Sequence, residues 1–161
     1  VDNLMQRLRY LAVGCECDWI VLDHISMVVA GLDVEERKTL DILMVKLRQF
    51  VEQTGVGVIA ISHLRRNNNK TSFNRAGEVD LNDLRGSASL EQMSDVVLSV
   101  ERNMMEDDRE KAEVSQLRLL KNRPFGQTGP CGFVKYDRHT GRLKHFDQDM
   151  PVDVADFDVP F

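Results

Sequence analysis

The chain has 161 residues, of which 42% are hydrophobic and 29% charged, a composition typical of one soluble globular domain with a real core. Its formal net charge is −5 at pH 7, and no apolar run approaches the roughly 20 residues needed to span a bilayer, which argues against a membrane protein. The cysteines are Cys15, Cys17 and Cys131, an odd number without a second pair at metal-site spacing, so we expect reduced thiols.

The first part of the sequence predicts a strand–helix–strand unit. An amphipathic helix in "VDNLMQRLRYLA" ends near Gly14, and "DWIVLD" follows as a short apolar strand. "EERKTLDILMVKLRQFVEQTG" predicts a long helix that ends at Gly55, and "VGVIAISH" predicts a second apolar strand. Strands that are apolar on both faces and joined by a helix predict a parallel sheet covered by helices.

The later segments predict a loop, a short helix and four more strands. The polar segment 64–83 is expected to be a long surface loop, and "DLRGSASLEQMSD" a loop entering a helix. The strands are expected in "VVLSVER", "EVSQLRLLKNR", "CGFVKYDR" and "RLKHF", with turns in "MEDDREK" and "RHTG". We expect residues 1–146 to form one α/β domain and residues 147–161 to be a disordered tail.

Charge is distributed unevenly along the chain. The last fifteen residues contain five Asp and no Lys or Arg, and the other 146 residues have a net charge of zero. Residues 63–75 contain four basic residues and no acidic one. One basic loop and one acidic tail on a neutral body suggest two different partners.

Asp23 ends an apolar strand, in "WIVLDHISM". An ionised carboxylate is rarely left unpaired in a core, so the carboxyl edge of a sheet, where a ligand or cation can meet it, is one expected location. An Asp that caps a backbone amide or pairs with a Lys is the alternative. The strand alone leaves both interpretations open.

Five segments in order, "VLDHIS", "VIAISHL", "DLRGSASLEQMSD", "VERN" and "LLKNRPFGQTG", closely resemble the carboxyl-terminal part of ring-shaped replicative DNA helicases. The likeness is greatest to the helicase half of short-tailed-phage primase-helicases, with Twinkle and DnaB-type helicases more distant. It implies a RecA-like fold built on a parallel sheet. The phosphate-loop pattern G-x-x-x-x-G-K-[ST] does not occur, and the family's catalytic glutamate would precede Val1. We therefore expect the missing part upstream and no nucleotide hydrolysis by these 161 residues alone.

The resemblance also implies roles for individual residues. Asp23 matches the Walker B aspartate that holds Mg²⁺ through water, and His63 matches the polar sensor near the γ-phosphate. Gln92 matches a position that couples the phosphate site to DNA. Lys121 and Arg123 resemble the basic pair that reaches a neighbouring subunit, with Arg123 as the arginine finger. Each could instead be an ordinary strand-end or helix-surface residue.

Further positions match the family's base and DNA contacts. Arg102 and Tyr136 resemble the pair that sandwiches the nucleotide base, although either could be edge packing. The loop that would grip single-stranded DNA departs from the phage pattern in detail, and a solvated charged loop is its alternative; its DNA-binding candidates are Arg65, Arg66, Asn67 and Lys70.

The implied function is a homo-oligomeric, hexameric ring that couples hydrolysis of ATP or dTTP, with Mg²⁺, to DNA unwinding. The acidic tail ending in Phe161 would bind a replicative DNA polymerase, with solvation as the alternative. The implied location is the cytoplasm of a phage-infected bacterium, with a mitochondrion as the alternative. A non-catalytic RecA-like interaction module and a recombination ATPase of the same fold remain competing functions.

Overall fold

A computed structural model describes residues 1–29, 36–64, 79–84 and 88–147. The chain is a mixed α/β protein. Its helices in the described part are α1 (Asp2–Arg9, continued by a π-helical turn Tyr10–Gly14), α2 (Ile25–Val29), α3 (Glu36–Thr54), α4 (Ala88–Met93), α5 (Arg109–Ala112) and a 3₁₀ turn Leu81–Asp83. Its strands are β1 (Trp19–Leu22), β2 (Gly57–Ala60), β3 (Val96–Arg102), β4 (Val114–Asn122), β5 (Gly129–Asp137) and β6 (Arg142–His145).

Helix α3 supplies most of the core, as its hydrophobic spacing predicts. Its buried face consists of Leu40, Leu43, Met44, Leu47 and Phe50. These side chains pack in one cluster with residues from α1, β1, α2 and α4, namely Leu8, Ile20, Ile25 and Leu90. The helix ends as predicted at Gly55, whose φ of +72° is a left-handed conformation that glycine adopts without strain.

Strands β1 and β2 pair in parallel, which confirms the strand–helix–strand prediction. Trp19 lies opposite Gly57, and a β-carbon at Gly57 would come within 2.3 Å of the Trp19 ring. The prediction that helices cover both faces is wrong for the described residues, because burial alternates along β1. Trp19 and Val21 are 68% and 62% exposed, whereas Ile20 between them is buried. One face of this two-stranded sheet is therefore apolar and uncovered.

The remaining strands form an antiparallel sheet in the order β3-β4-β5-β6. Strand β3 is at its edge and carries Val96, Leu98 and Val100, all more than half exposed. The four strands and the helix α4 agree with the predicted elements. "MEDDREK" is more ordered than the predicted turn, because Asp108 caps α5 by accepting a hydrogen bond from the Glu110 amide at 2.9 Å.

Two predicted features fall outside the described residues. They are the basic part of the surface loop, at 65–78, and the tail beyond Asp147. The ends of the loop are described: Leu64 forms an isolated antiparallel bridge with Leu84, and Val79 is buried. None of the helices in the described ranges is long and apolar enough to cross a bilayer.

The β5–β6 turn is held by the carboxylate of Asp137. It accepts hydrogen bonds from the amides of His139 and Thr140 at 2.9 and 3.3 Å, and Lys144 approaches it to 2.6 Å. Gly141 completes the turn with a φ of +68°. The Lys144 ammonium, followed by these amides, lowers the pKa of Asp137 from 3.8 to about 2.

We predict that Lys144→Met raises the pKa of Asp137 towards 3.8, because the largest cause of the shift is removed. Since the pKa is lowered in the folded state, the stabilisation is present above the unfolded-state pKa and is lost as the pH falls towards 2. Carboxyl-carbon NMR titration measures both values, with Lys111→Met as a control on exposed α5. An unchanged Asp137 midpoint in Lys144→Met would assign the shift to the turn amides alone.

Candidate functional site

Asp23 and His63 lie at the same edge of the parallel β1–β2 pair. Asp23 directly follows β1, and the chain continues the pairing beyond β2, because Ile61 donates its amide to Leu22 at 3.0 Å. The Ile25 amide in turn donates to the Ile61 carbonyl at 2.9 Å. The carboxyl ends of parallel strands are where α/β proteins bind ligands. Both predicted residues are exposed at this edge.

His24 is a neighbour of His63 that the sequence interpretation did not assign. The two imidazole centroids are 4.1 Å apart with the rings tilted by 51°. The Nδ1 of His24 is buried and has no hydrogen-bond partner among the described residues. His24 follows Asp23 in sequence, so the ring contact connects the end of β1 to the segment after β2.

The edge offers one carboxylate to a metal ion. In the described ranges, no three His, Cys, Asp or Glu side chains converge into a group that could hold a metal. Mg²⁺ commonly keeps several waters and is bound through one or two carboxylates together with substrate phosphates. The exposed carboxylate of Asp23 fits that mode, whereas a site built of protein ligands alone does not.

The structure brings Gln92, Lys121 and Arg123 together at the end of α4. The Lys121 ammonium donates to the backbone carbonyls of Glu91 and Gln92, and a terminal guanidinium nitrogen of Arg123 also donates to the Gln92 carbonyl. Cations at the C-terminus of a helix satisfy its free carbonyls and complement its dipole. Gln92 takes part through its main chain, and its side chain is exposed.

Asp95 adds an ion-pair network to this cluster. The Arg48 guanidinium approaches both oxygens of Asp95, at 2.7 and 2.6 Å, and the Arg123 guanidinium approaches one of them at 3.1 Å. The Arg123 amide donates to the Asp95 carbonyl at 2.8 Å. Asp95, and after it Glu52, raises the pKa of Arg48. Sequence reasoning missed Arg48 and Asp95, which are 47 positions apart.

Arg102 and Tyr136 lie on β3 and β5, with β4 between them. The Arg102 Nε donates to the Ala112 carbonyl at 2.5 Å, and the Tyr136 amide donates to the Glu113 carbonyl at 3.0 Å. Both residues are therefore tied to the turn that precedes β4. Two strand spacings separate their backbones by about 10 Å, so the two side chains are at one end of the sheet and are not stacked on each other.

Glu101 is a buried carboxylate that sequence reasoning did not select. It accepts hydrogen bonds from the Ser99 hydroxyl at 2.8 Å and the Val79 amide at 3.3 Å, and Arg118 lies 3.3 Å away. Ser99 and Glu101 are two positions apart on β3 and both face inward, a polar interruption that the strand pattern contains. Glu101 thus anchors the C-terminal end of the basic loop to the strand that carries Arg102.

The other predicted contacts lie outside the described residues. These are the DNA-binding candidates Arg65, Arg66, Asn67 and Lys70, and the partner-binding candidate Phe161.

Comparisons with known proteins agree on one family. The family model for the DnaB-like helicase C terminal domain matches residues 1–147. The DNA helicase/primase of Enterobacteria phage T3 is 42% identical over 144 residues, which cover 89% of this chain and 25% of the relative. The replicative DNA helicase DnaB of Mycoplasma pneumoniae is 27% identical over 147 residues, covering 85% of this chain and 30% of the relative.

A solved structure supports the fold. The structure of a helicase ATPase domain superposes with a TM-score of 0.71 at 19% identity, covering 91% of this chain and 51% of that one. The predicted RecA-like fold is therefore confirmed. The chain spans about a quarter to a half of the length of these relatives.

We predict that Glu101→Gln lowers the free energy of unfolding by about 3 kcal/mol, because it removes the carboxylate charge beside the largely buried Arg118 guanidinium. Glu110→Gln is the matched control, since Glu110 pairs with Lys135 at 3.7 Å from a side chain that is 86% exposed. That control should change stability by less than about 1 kcal/mol. Urea unfolding followed by circular dichroism measures both. Equal effects of the two variants would contradict the anchoring role of Glu101.

Proposed function

The chain belongs to the DnaB-like helicase C-terminal domain family, and from this premise we propose that it forms the C-terminal part of a ring helicase that couples nucleotide hydrolysis to movement along single-stranded DNA. Its homology to phage and bacterial replicative helicases supports the assignment to replication. The observation that carries the proposal is the shared edge of Asp23 and His63, because a carboxylate and an imidazole at the carboxyl ends of adjacent parallel strands suit a nucleotide's metal and γ-phosphate.

At this edge Asp23 holds Mg²⁺ through water, and the substrate is ATP or dTTP. When bound, Mg²⁺ neutralises charge on the phosphate oxygens. His63 is exposed and can donate a hydrogen bond towards the γ-phosphate, while His24 limits the directions in which the His63 ring can turn. Because the Leu64–Leu84 bridge closes the loop directly after His63, a displacement of His63 is transmitted to the base of that loop.

Arg123 acts on the nucleotide of a neighbouring subunit. Its side chain is 45% exposed, and the Asp95 carboxylate and Gln92 carbonyl that it contacts both lie on one side, at the end of α4. A guanidinium held on one side and open on the other can contact an anion presented by a second copy of the chain. Lys121 supports the same turn from beneath, and Gln92 connects it to α4. This arrangement requires a homo-oligomer, and a hexameric ring is the proposed assembly.

Arg102 and Tyr136 flank the nucleotide base. They are held at one end of the antiparallel sheet by contacts to Ala112 and Glu113, and Tyr136 is 39% exposed. The proposed arrangement places the base across the end of β4, between a guanidinium plane and a phenol ring.

Single-stranded DNA binds to the basic loop, through Arg65, Arg66, Asn67 and Lys70. The two described ends of this loop support the proposal, because the Leu64–Leu84 bridge brings them together and Glu101 anchors Val79. A loop closed at its base projects its cations away from the sheet, where they can contact phosphates without reading sequence.

The exposed apolar surface of the sheets belongs to the rest of the same ATPase domain. Trp19, Val21 and Ile59 on the parallel pair and Leu98 and Val100 on the edge strand β3 are each at least half exposed. Patches of this kind mark interaction surfaces. We assign to the covering segment the phosphate-binding loop that these 161 residues lack, so that hydrolysis requires both parts.

The acidic tail ending in Phe161 binds the replicative DNA polymerase in this proposal, with its carboxylates steering association and the ring anchoring it. The phage T3 relative supports a phage origin and action in the cytoplasm of an infected bacterium.

We predict that Arg123→Ala abolishes hydrolysis and spares nucleotide binding in the complete gene product that carries this sequence, because an arginine finger stabilises the transition state. Mixing Arg123→Ala subunits with Asp23→Ala subunits should restore part of the activity, since some interfaces in a mixed ring then contain both intact residues. Mixed rings are verified by native mass spectrometry. Absence of recovery at every mixing ratio would refute action between subunits.

A further inference from the structure

Asp95 lies between two guanidinium groups that compete for it. Arg48 approaches both carboxylate oxygens at 2.7 and 2.6 Å, whereas Arg123 approaches a single oxygen at 3.1 Å. A bidentate arginine–carboxylate contact is stronger and more directional than a single contact. Arg48 therefore has the firmer hold on Asp95, and Arg123 the looser one.

The surroundings fix Arg48 in this role. Its Nε donates to Glu52, one turn further along α3, at 2.7 Å, so both edges of its guanidinium have carboxylate partners. The side chain of Arg48 is 30% exposed, less than those of Arg123 and Asp95, at 45% each. Arg123 has the backbone carbonyl of Gln92 as its other side-chain partner, a neutral acceptor that binds a guanidinium less strongly than a carboxylate does.

The consequence concerns the charge of Arg123. A finger residue in a two-oxygen contact with a carboxylate of its own subunit would be neutralised and held in place. Since Arg48 occupies both oxygens, Asp95 can orient Arg123 through one long contact without capturing it. Two cations and one carboxylate leave a positive charge at the exposed side of Arg123, where a neighbour's anion can reach it.

We infer that Arg48 is a positioning residue for Arg123: by occupying both oxygens of Asp95, it keeps Arg123 oriented but available to the γ-phosphate of a neighbouring subunit. This inference rests on the proposed role of Arg123 and adds to it a second residue, on the helix that joins the Asp23 strand to the His63 strand.

Removal of Arg48 frees Asp95 to bind Arg123 with both oxygens. The finger must then break a charge-assisted contact each time the transition state forms, whereas binding of nucleotide by its own subunit is unaffected. Arg48→Met should therefore lower kcat about tenfold or more and change KM less than about twofold. Arg48→Lys offers a point charge that cannot hold both oxygens, so it should fall between Arg48→Met and the wild type.

The double variant Arg48→Met/Asp95→Asn separates positioning from simple stabilisation. Without the carboxylate nothing captures Arg123, so kcat should return to within about threefold of the wild-type value, a non-additive recovery. Asp95→Asn alone should keep kcat at or above the wild-type value. Lys46→Met is the matched control on the same helix, because Lys46 pairs with Asp2, which is 85% exposed, and it should leave kcat unchanged.

DNA-stimulated hydrolysis by the complete gene product, assembled as rings, gives kcat and KM for these variants, and urea unfolding measures their stability. An unchanged kcat in Arg48→Met, or a double variant as slow as Arg48→Met, would overturn the inference. If Arg48→Met does not fold, a tenfold loss in Asp95→Asn overturns it and retention of kcat supports it. Full activity of Arg123→Ala would instead refute the proposed function, which keeps the two failures distinguishable.

Discussion

The parallel pairing of β1 with β2 determines which side chains can share the candidate site. It aligns the ends of two strands that are joined by the 19-residue helix α3, and the hydrogen bonds of Ile61 to Leu22 and of Ile25 to Ile61 extend the alignment past both strands. Asp23 and His63 consequently emerge at one edge although they are forty residues apart. The buried face of α3, centred on Leu43 and Phe50, keeps the helix against this pair, so the core and the site depend on the same packing.

The same helix also contacts the second half of the site. Outside its buried face, α3 presents Arg48, which binds Asp95 immediately before β3. Asp95 and the last carbonyls of α4 in turn hold Arg123 and Lys121 at the end of β4. Helix α3 therefore connects the edge that would bind a subunit's own nucleotide to the cations that would act on its neighbour's. A shift of α3 has a physical route to both, through packing on one side and through an ion pair on the other.

Much of this organisation could be predicted from the sequence because it depends on periodicity and on the order of segments. The apolar spacing of α3, the stop at Gly55 and the strands β3 to β6 all leave patterns that a chain reveals locally. The exposure of Trp19 and Val21 could not be predicted, since an apolar strand looks the same whether its second face is covered or not. The Arg48–Asp95 pair was missed because charged residues on a helix surface carry no signal about distant partners. Glu101 was missed for the same reason, although the inward-facing Ser99 beside it marks the position.

The account's central claim is that one nucleotide is held by the Asp23 edge of one subunit and the Arg123 of the next. Cryo-electron microscopy of the complete gene product, with single-stranded DNA, Mg²⁺ and a non-hydrolysable nucleotide triphosphate, tests it most directly. We expect the γ-phosphate at the interface between subunits, within hydrogen-bonding distance of a neighbour's Arg123, with Arg48 still bound to both oxygens of Asp95. Rings in which every nucleotide-filled interface leaves Arg123 on its own Gln92 carbonyl, or in which the nucleotide lies away from Asp23, would contradict the claim.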